Sequence, residues 1–220
     1  MKRLERKLMN IYELLLQEYG PQGWWPAETP FEVLVGAVLT QNTSWRNVEK
    51  AIQIMKENHC LSEEGILKLN VTDLAKLIKC VGFYNVKARR LKNLVETLVK
   101  YGGMEALGKL KTEELRLKLL AISGIGKETA DSIILYAFEK PIFVVDEYTR
   151  RILTRLEMLD AGKMEYDEIR TLFENNLPQD VGLYKEYHAL LVKHAKEHCK
   201  KKPRCEGCVL IENAICKAKF

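Results

Sequence analysis

The chain holds 220 residues, 47% of them hydrophobic and 30% charged, with 35 Lys and Arg against 30 Asp and Glu for a formal charge of +5. That length supports a full core as one domain or two small ones, and the basic balance leans towards a polyanionic partner. Two classes are excluded. No uninterrupted apolar run reaches signal-peptide or membrane length, and four of the six cysteines crowd between Cys199 and Cys216 instead of spreading into a disulfide framework. A soluble, intracellular protein is expected.

In chain order, apolar residues recur at helical spacing in Leu4/Leu8/Ile11/Leu14/Leu15, and Pro21-Gln22-Gly23 ends that helix. Gly23-Trp24-Trp25-Pro26 then sets two of the three tryptophans side by side; by residue type alone each fits a core better than a ligand platform. Thr29-Pro30 opens the next helix, whose apolar period runs through Phe31/Leu34/Val35/Val38/Leu39 and gives out at Thr40-Gln41-Asn42-Thr43, ahead of Trp45. Cys60 and Cys80 follow amphipathic segments and read as buried apolar fillers. Gly82 separates Leu74–Val81 from Asn85–Lys100, and Gly82-Phe83-Tyr84-Asn85-Val86-Lys87 places a lysine shortly after a glycine, an order that returns later in the chain. Further helical periods lie in Leu91/Leu94/Val95/Leu98, Leu115/Leu117/Leu119/Leu120 and Ile133/Ile134/Ala137/Phe138, with Gly102-Gly103 and Gly108 between them. The whole reads as an all-α protein. Pro141–Val145 is the only strand-like run, an extended linker or the lead-in to a helix beginning near Asp146.

Ile122-Ser123-Gly124-Ile125-Gly126-Lys127-Glu128-Thr129-Ala130, followed by Val144-Val145-Asp146-Glu147-Tyr148, is the most informative stretch. A Gly-x-Gly turn opening a helix leaves backbone N–H groups aimed at an anion such as a phosphate, because the first amides of a helix have no internal partner. Alone, such a turn is also a plain connection with glycines chosen for positive φ, and Asp146 is also a good helix N-cap. Near the C-terminus, Cys199-x5-Cys205-x2-Cys208-x7-Cys216 offers enough thiolates for a four-cysteine iron–sulfur cluster or a tetrahedral zinc, and ligand identity does not separate them. The basic Lys200-Lys201-Lys202 and Arg204 beside it fit phosphate contacts or an ordinary solvated surface.

The hairpin turn, the Val-Val-Asp run and the cysteine loop together resemble the endonuclease III, or helix-hairpin-helix-GPD, superfamily of base-excision DNA glycosylases, over nearly the whole chain. The resemblance implies a two-lobed fold: residues 28–140 as a continuous helical domain, and residues 1–27 plus 141–220 as a second lobe carrying the cluster loop at 199–216, with Asp146 at the cleft. It implies double-stranded DNA with a damaged base as the partner of a monomeric enzyme. Gly124, Ile125, Gly126 and Lys127 would grip the strand, while Gln41 and Phe83 stand where the family places the side chains that fill the space left by a flipped base. A plain helix end for Gln41 and a hydrophobic staple for Phe83 are the alternatives. Asp146 would stabilise the oxocarbenium-like sugar and orient or activate water.

Bifunctional members carry a nucleophilic lysine directly before the Thr or Ser of the hairpin helix, and here that position is Glu128. Lys127 is one residue earlier, a rotation of about 100° on a helix, so only a slipped register would bring it into place. A carboxylate forms no imine, which implies a monofunctional enzyme that leaves an intact abasic site. Trp24, Trp25, Pro26 and Trp45, with Thr40-Gln41-Asn42-Thr43, resemble the 3-methyladenine DNA glycosylase III branch, whose pocket stacks an alkylated purine on aromatic residues. A cationic base over an indole face gains roughly 0.5–2 kcal/mol. The cysteine loop implies a [4Fe-4S] cluster, with zinc as the alternative; its first gap is one residue shorter and its last two longer than the family spacing, and it departs from the cluster-free members of that branch. Two further readings stand beside this one: an endonuclease III-like glycosylase and AP lyase on oxidised pyrimidines, and a non-catalytic DNA-binding module with a structural metal.

Overall fold

The computed structural model describes residues 3–158, 160 and 163–217, and among them it contains helices and turns but no strand. The helices are α1 (Arg3–Tyr19), α2 (Pro30–Leu39), α3 (Trp45–Glu57), α4 (Glu63–Lys68), α5 (Val71–Leu77), α6 (Tyr84–Lys100), α7 (Gly103–Gly108), α8 (Thr112–Leu120), α9 (Lys127–Ser132), α10 (Glu147–Arg155), α11 (Tyr166–Glu174), α12 (Val181–Glu197) and α13 (Val209–Glu212). The chain divides into two compact units, Met1–Pro26 with Pro141–Phe220, and Ala27–Lys140. None of the described helices is long and apolar enough to cross a membrane.

The core of the unit spanning 27–140 forms around α2. Thr29 starts this helix by accepting the Glu32 amide on its hydroxyl at 3.1 Å, and Pro30 occupies the first turn, where a missing N–H costs nothing. Every residue from Glu32 to Leu39 is buried, as expected of a helix apolar on all sides. It packs against α3, α6, α9 and the π-helical turn Ile133–Ala137 that continues α9. Its one charge, Glu32, is answered by Lys56 of α3 at 2.9 Å. The helix stops at Leu39 because the Thr40 hydroxyl bonds back to the Gly36 carbonyl at 2.6 Å and Asn42 turns to φ 52°. Cys60 is buried as read from the sequence; Cys80 is only half-buried.

In the other unit, Leu8, Ile11 and Leu15 of α1 face α12, and the buried Tyr187 hydroxyl of α12 donates to the Leu8 carbonyl at 2.8 Å. The strand-like run is extended but pairs with no ladder. Ile142, Phe143, Val144 and Val145 are all buried. Phe143 stacks on Phe173 of α11 at 3.8 Å and meets Tyr184 and Tyr187 edge-on at 5.5 and 5.9 Å. Its backbone amide donates to Glu174 at 2.9 Å and that of Val145 to the Tyr166 hydroxyl at 3.3 Å, so side chains take the place of a neighbouring strand. Full burial of a phenylalanine is worth about 1.5–3 kcal/mol, which anchors the segment immediately before Asp146.

Candidate active site and nucleic-acid interface

Asp146 is the N-cap of α10: its Oδ1 accepts the Thr149 amide at 2.7 Å. Oδ2 lies 3.5 Å from Nε2 of His188, a buried residue of α12, and the aspartate side chain is 11% exposed. Burial works against its charge, but His188 and Thr149 outweigh burial and hold the carboxyl below its ordinary value. The His188 ring in turn meets Trp24 edge-on at 5.7 Å, Trp24 lies 6.3 Å from Trp25, and the Lys196 ammonium stands 5.9 Å from the Trp24 ring. The structure thus brings Asp146, Trp24 and Trp25 into one neighbourhood. Pro26, exposed, closes the same unit, whereas Trp45 belongs to the unit 27–140, where it is half-buried and donates to Glu49 at 2.8 Å.

The hairpin is formed by α8, a turn and α9. Gly124 takes φ +93°, and a Cβ there would stand 2.3 Å from Cγ of Arg90, so the position demands glycine twice over. Gly126 is the N-cap of α9 and offers no side chain. The Ile125 side chain is buried and its amide is spent on the Ile122 carbonyl at 3.0 Å, which leaves any contact beyond the protein to its neighbours. Lys127 and Glu128 are exposed. The two helices are held by a buried ion pair in which the Arg116 guanidinium of α8 donates to both oxygens of Asp131 of α9, at 2.6 and 3.2 Å.

Gln41 joins this hairpin. Its amide nitrogen donates to the Gly124 carbonyl at 3.3 Å and to the Thr129 hydroxyl at 2.9 Å, while its carbonyl oxygen accepts from Arg90 of α6. Phe83, by contrast, is 72% exposed, in a left-handed conformation at φ 46°, immediately before α6.

Cys199, Cys205, Cys208 and Cys216 line one cavity beyond the end of α12. The Arg155 guanidinium donates to the Cys199 sulfur at 3.1 Å and to the Lys200 and Lys201 carbonyls at 2.7 and 3.0 Å, and Arg151 donates to the Cys199 carbonyl at 2.8 Å. Helix α10 thereby carries Asp146 at one end and braces the cysteine loop from the other. No three His, Cys, Asp or Glu residues among the described ones are gathered closely enough to hold a single metal ion. The side chains of Lys200, Lys201, Lys202 and Arg204 are exposed.

Sequence reasoning missed His188, Lys196, Arg90 and Lys87. Lys87 left a signal: it shares a helical face with Leu91, Leu94 and Leu98, a basic residue where the period calls for an apolar one. His188 left none, since its place against Asp146 comes from packing between α10 and α12.

Fold and site together define a protein whose described residues form helices and turns, with a glycine hairpin and a partly exposed, ionised carboxylate at a helix N-terminus. Residues 35–179 match the HhH-GPD superfamily of base excision DNA repair proteins, and the chain belongs to that DNA glycosylase superfamily. It is 50% identical over 213 residues, 96% of each chain, to a protein of Methanocaldococcus jannaschii provisionally named as a DNA repair glycosylase. It is 33% identical over 183 residues to endonuclease III of Thermotoga maritima, covering 82% of this chain and 80% of that one. A crystal structure of H. pylori 3-methyladenine DNA glycosylase bound to 1,N6-ethenoadenine superimposes with a TM-score of 0.75 at 30% identity, covering 88% of this chain and 97% of that one.

Proposed function

We propose that the chain is a monofunctional DNA N-glycosylase that flips an alkylated purine of the 3-methyladenine type from duplex DNA and hydrolyses its glycosidic bond. One observation carries this reading: the indole pair Trp24–Trp25 leads through the His188 ring to the ionised carboxylate of Asp146. N3-alkylation makes adenine cationic, which suits stacking on an indole and makes the base a good leaving group. The N–C1′ bond breaks with its electron pair going to the base, which departs neutral. Asp146 faces the sugar cation with Oδ2, since Oδ1 is engaged by Thr149. A carboxyl held below its ordinary value is a weak base, so its main contribution is electrostatic, and it orients the water whose hydroxyl adds to C1′ and whose proton passes to solvent.

Gly124, Gly126 and Lys127 serve as the phosphate grip, with Ile125 as the buried pin of the turn, and Gln41 and Phe83 as the groups that replace the flipped base. Pro26 completes the base pocket. Glu128 in the lyase position supports an abasic product with an intact strand. The four cysteines line one cavity and supply the thiolates for a [4Fe-4S] cluster, with zinc as the alternative; such a cluster would fix the basic loop against phosphates. The partner is double-stranded DNA and the working form a monomer.

The test is incubation with duplex DNA carrying 3-methyladenine, measuring released base and strand breaks with and without alkali. Free base with breaks only after alkali supports the reading. Breaks without alkali, or release of oxidised pyrimidines alone, would favour the endonuclease III-like lyase, which the identity to the Thermotoga maritima enzyme also supports. Iron and acid-labile sulfide in equal amounts support the cluster; stoichiometric zinc without iron overturns it.

A further inference from the structure

Lys87 of α6 is 1% exposed, and its ammonium donates to two main-chain carbonyls, that of Leu39 at 3.0 Å and that of Val81 at 2.9 Å. Leu39 ends α2 two residues before Gln41; Val81 ends the 3-10 turn Lys79–Val81 two residues before Phe83. A single cation therefore joins the two backbone segments that deliver Gln41 and Phe83. We propose that Lys87 is a positioning residue that sets the spacing of Gln41 and Phe83, so that the two side chains enter the duplex as one edge. The proposal rests on the reading of those two residues as the groups that replace a flipped base.

Burying an ammonium is unfavourable, and a hydrophobic side chain of similar volume would pack α6 against α2 at lower cost. Burial, and then Arg90, lower the Lys87 ammonium to about 8, a sign of that cost. What a hydrophobic side chain cannot do is hold two carbonyls from different segments at a fixed separation, and charge-assisted hydrogen bonds to helix-end carbonyls do so with defined geometry. The neighbouring contacts act in the same sense. Arg90, three residues further along α6, donates to the Gln41 side chain, whose nitrogen is committed to Gly124 and Thr129 of the hairpin. The first two turns of α6 thus set the Gln41 backbone through Lys87 and its side chain through Arg90, while Phe83 is the residue from which the helix starts.

The experiment uses full-length protein and a duplex with 2-aminopurine beside a tetrahydrofuran abasic analogue, reading the fluorescence that rises on unstacking. K87M, with its fold verified by circular dichroism, is expected to bind undamaged duplex at low salt like the wild type but to lose duplex opening by at least about tenfold, the size expected for lost charge-assisted hydrogen bonds. Its single-turnover base release should fall in parallel. K87Q, able to donate to one carbonyl, should fall between, and it carries the comparison if K87M does not fold. In a Q41A/F83A background, K87M should cause no further loss. A folded K87M or K87Q with wild-type opening overturns the proposal, as does a full K87M effect in the Q41A/F83A background; a lowered melting temperature with normal opening would mean a structural role only. If Q41A/F83A itself opens the duplex like the wild type, it is the edge reading that has failed.

Discussion

The two units bury charge in different ways. In 27–140, the Lys87 ammonium is engaged by two carbonyls, and Arg116 spans both oxygens of Asp131. In the other unit, Asp146 has one oxygen bonded to a backbone amide and the other 3.5 Å from a histidine nitrogen, in a side chain 11% exposed. A charge whose hydrogen bonds lie wholly within the protein can only shape it, whereas an ionised carboxylate with one oxygen held loosely retains capacity for a substrate. Residues that hold the hairpin and the α6 turn thus differ in their bonding from Asp146, the residue proposed to meet the sugar.

The largest effect expected from this contrast is at Asp146. D146N keeps the cap, since Asn and Asp cap helices about equally, but removes the negative charge. Single-turnover base release should fall on the order of 10³-fold, with DNA affinity nearly unchanged and thermal stability lowered by the lost contribution of the charge. A variant that kept its activity would remove Asp146 from the chemistry and leave it a cap.

At the hairpin the effect should be on stability instead. D131L removes the carboxylate that answers a buried guanidinium and should lower unfolding free energy by about 3–5 kcal/mol, while R116M/D131L, which removes both charges, should recover most of that loss. Urea unfolding of D131L, R116M and the double variant measures the coupling. Equal losses in D131L and R116M/D131L would mean that the pair is not what holds α8 to α9.

The pH dependence sharpens the comparison further, by a smaller amount. Asp146 is lowered in the folded state, so its charge stabilises the fold above the ordinary carboxylate range and that contribution is lost only as pH falls through the lowered value. Base release, if it needs the ionised form, should therefore stay flat from pH 7 to about pH 5, with its acid limb below the ordinary value near 4. An acid limb near pH 6 in the rate of release would point to a different essential group.

Much of the fold could be read from the sequence where local physics decides it. Thr29-Pro30 and Gly82 mark helix boundaries because capping and positive φ are local matters, and the all-helical class follows from periodicity. Pro141–Val145 was ambiguous because buried extended chain and a strand share one apolar pattern; only the side-chain partners Glu174 and Tyr166, supplied by α11, tell them apart. The same limit applies to the site. Asp146 and the cysteines belong to short motifs, but His188 reaches Asp146 from 42 residues along the chain, 188 minus 146, and no spacing rule encodes that meeting. Lys87 was visible as a lysine shortly after Gly82 and as a violation of its own helix face, but neither reveals the two carbonyls that it holds.

The smallest expected effect is also the most direct test of the hairpin register. Glu128 is the second residue of α9 and is exposed. An acidic side chain there complements the helix N-terminus by about 0.3–1 kcal/mol, so E128K should lower stability only slightly. If position 128 faces C1′, the new amine should attack an opened sugar and form a Schiff base that borohydride reduces to a stable cross-link with DNA. For an amine near the ordinary lysine value of about 10.4, the trapped fraction should be low at pH 7 and climb about tenfold per pH unit towards pH 9. Cross-linking with that slope fixes the register in which Glu128 has replaced the lyase lysine. Trapping by the unmodified protein, or by K127 in an E128Q variant, would instead mean that the hairpin is shifted by one residue and that Lys127 is the nucleophile.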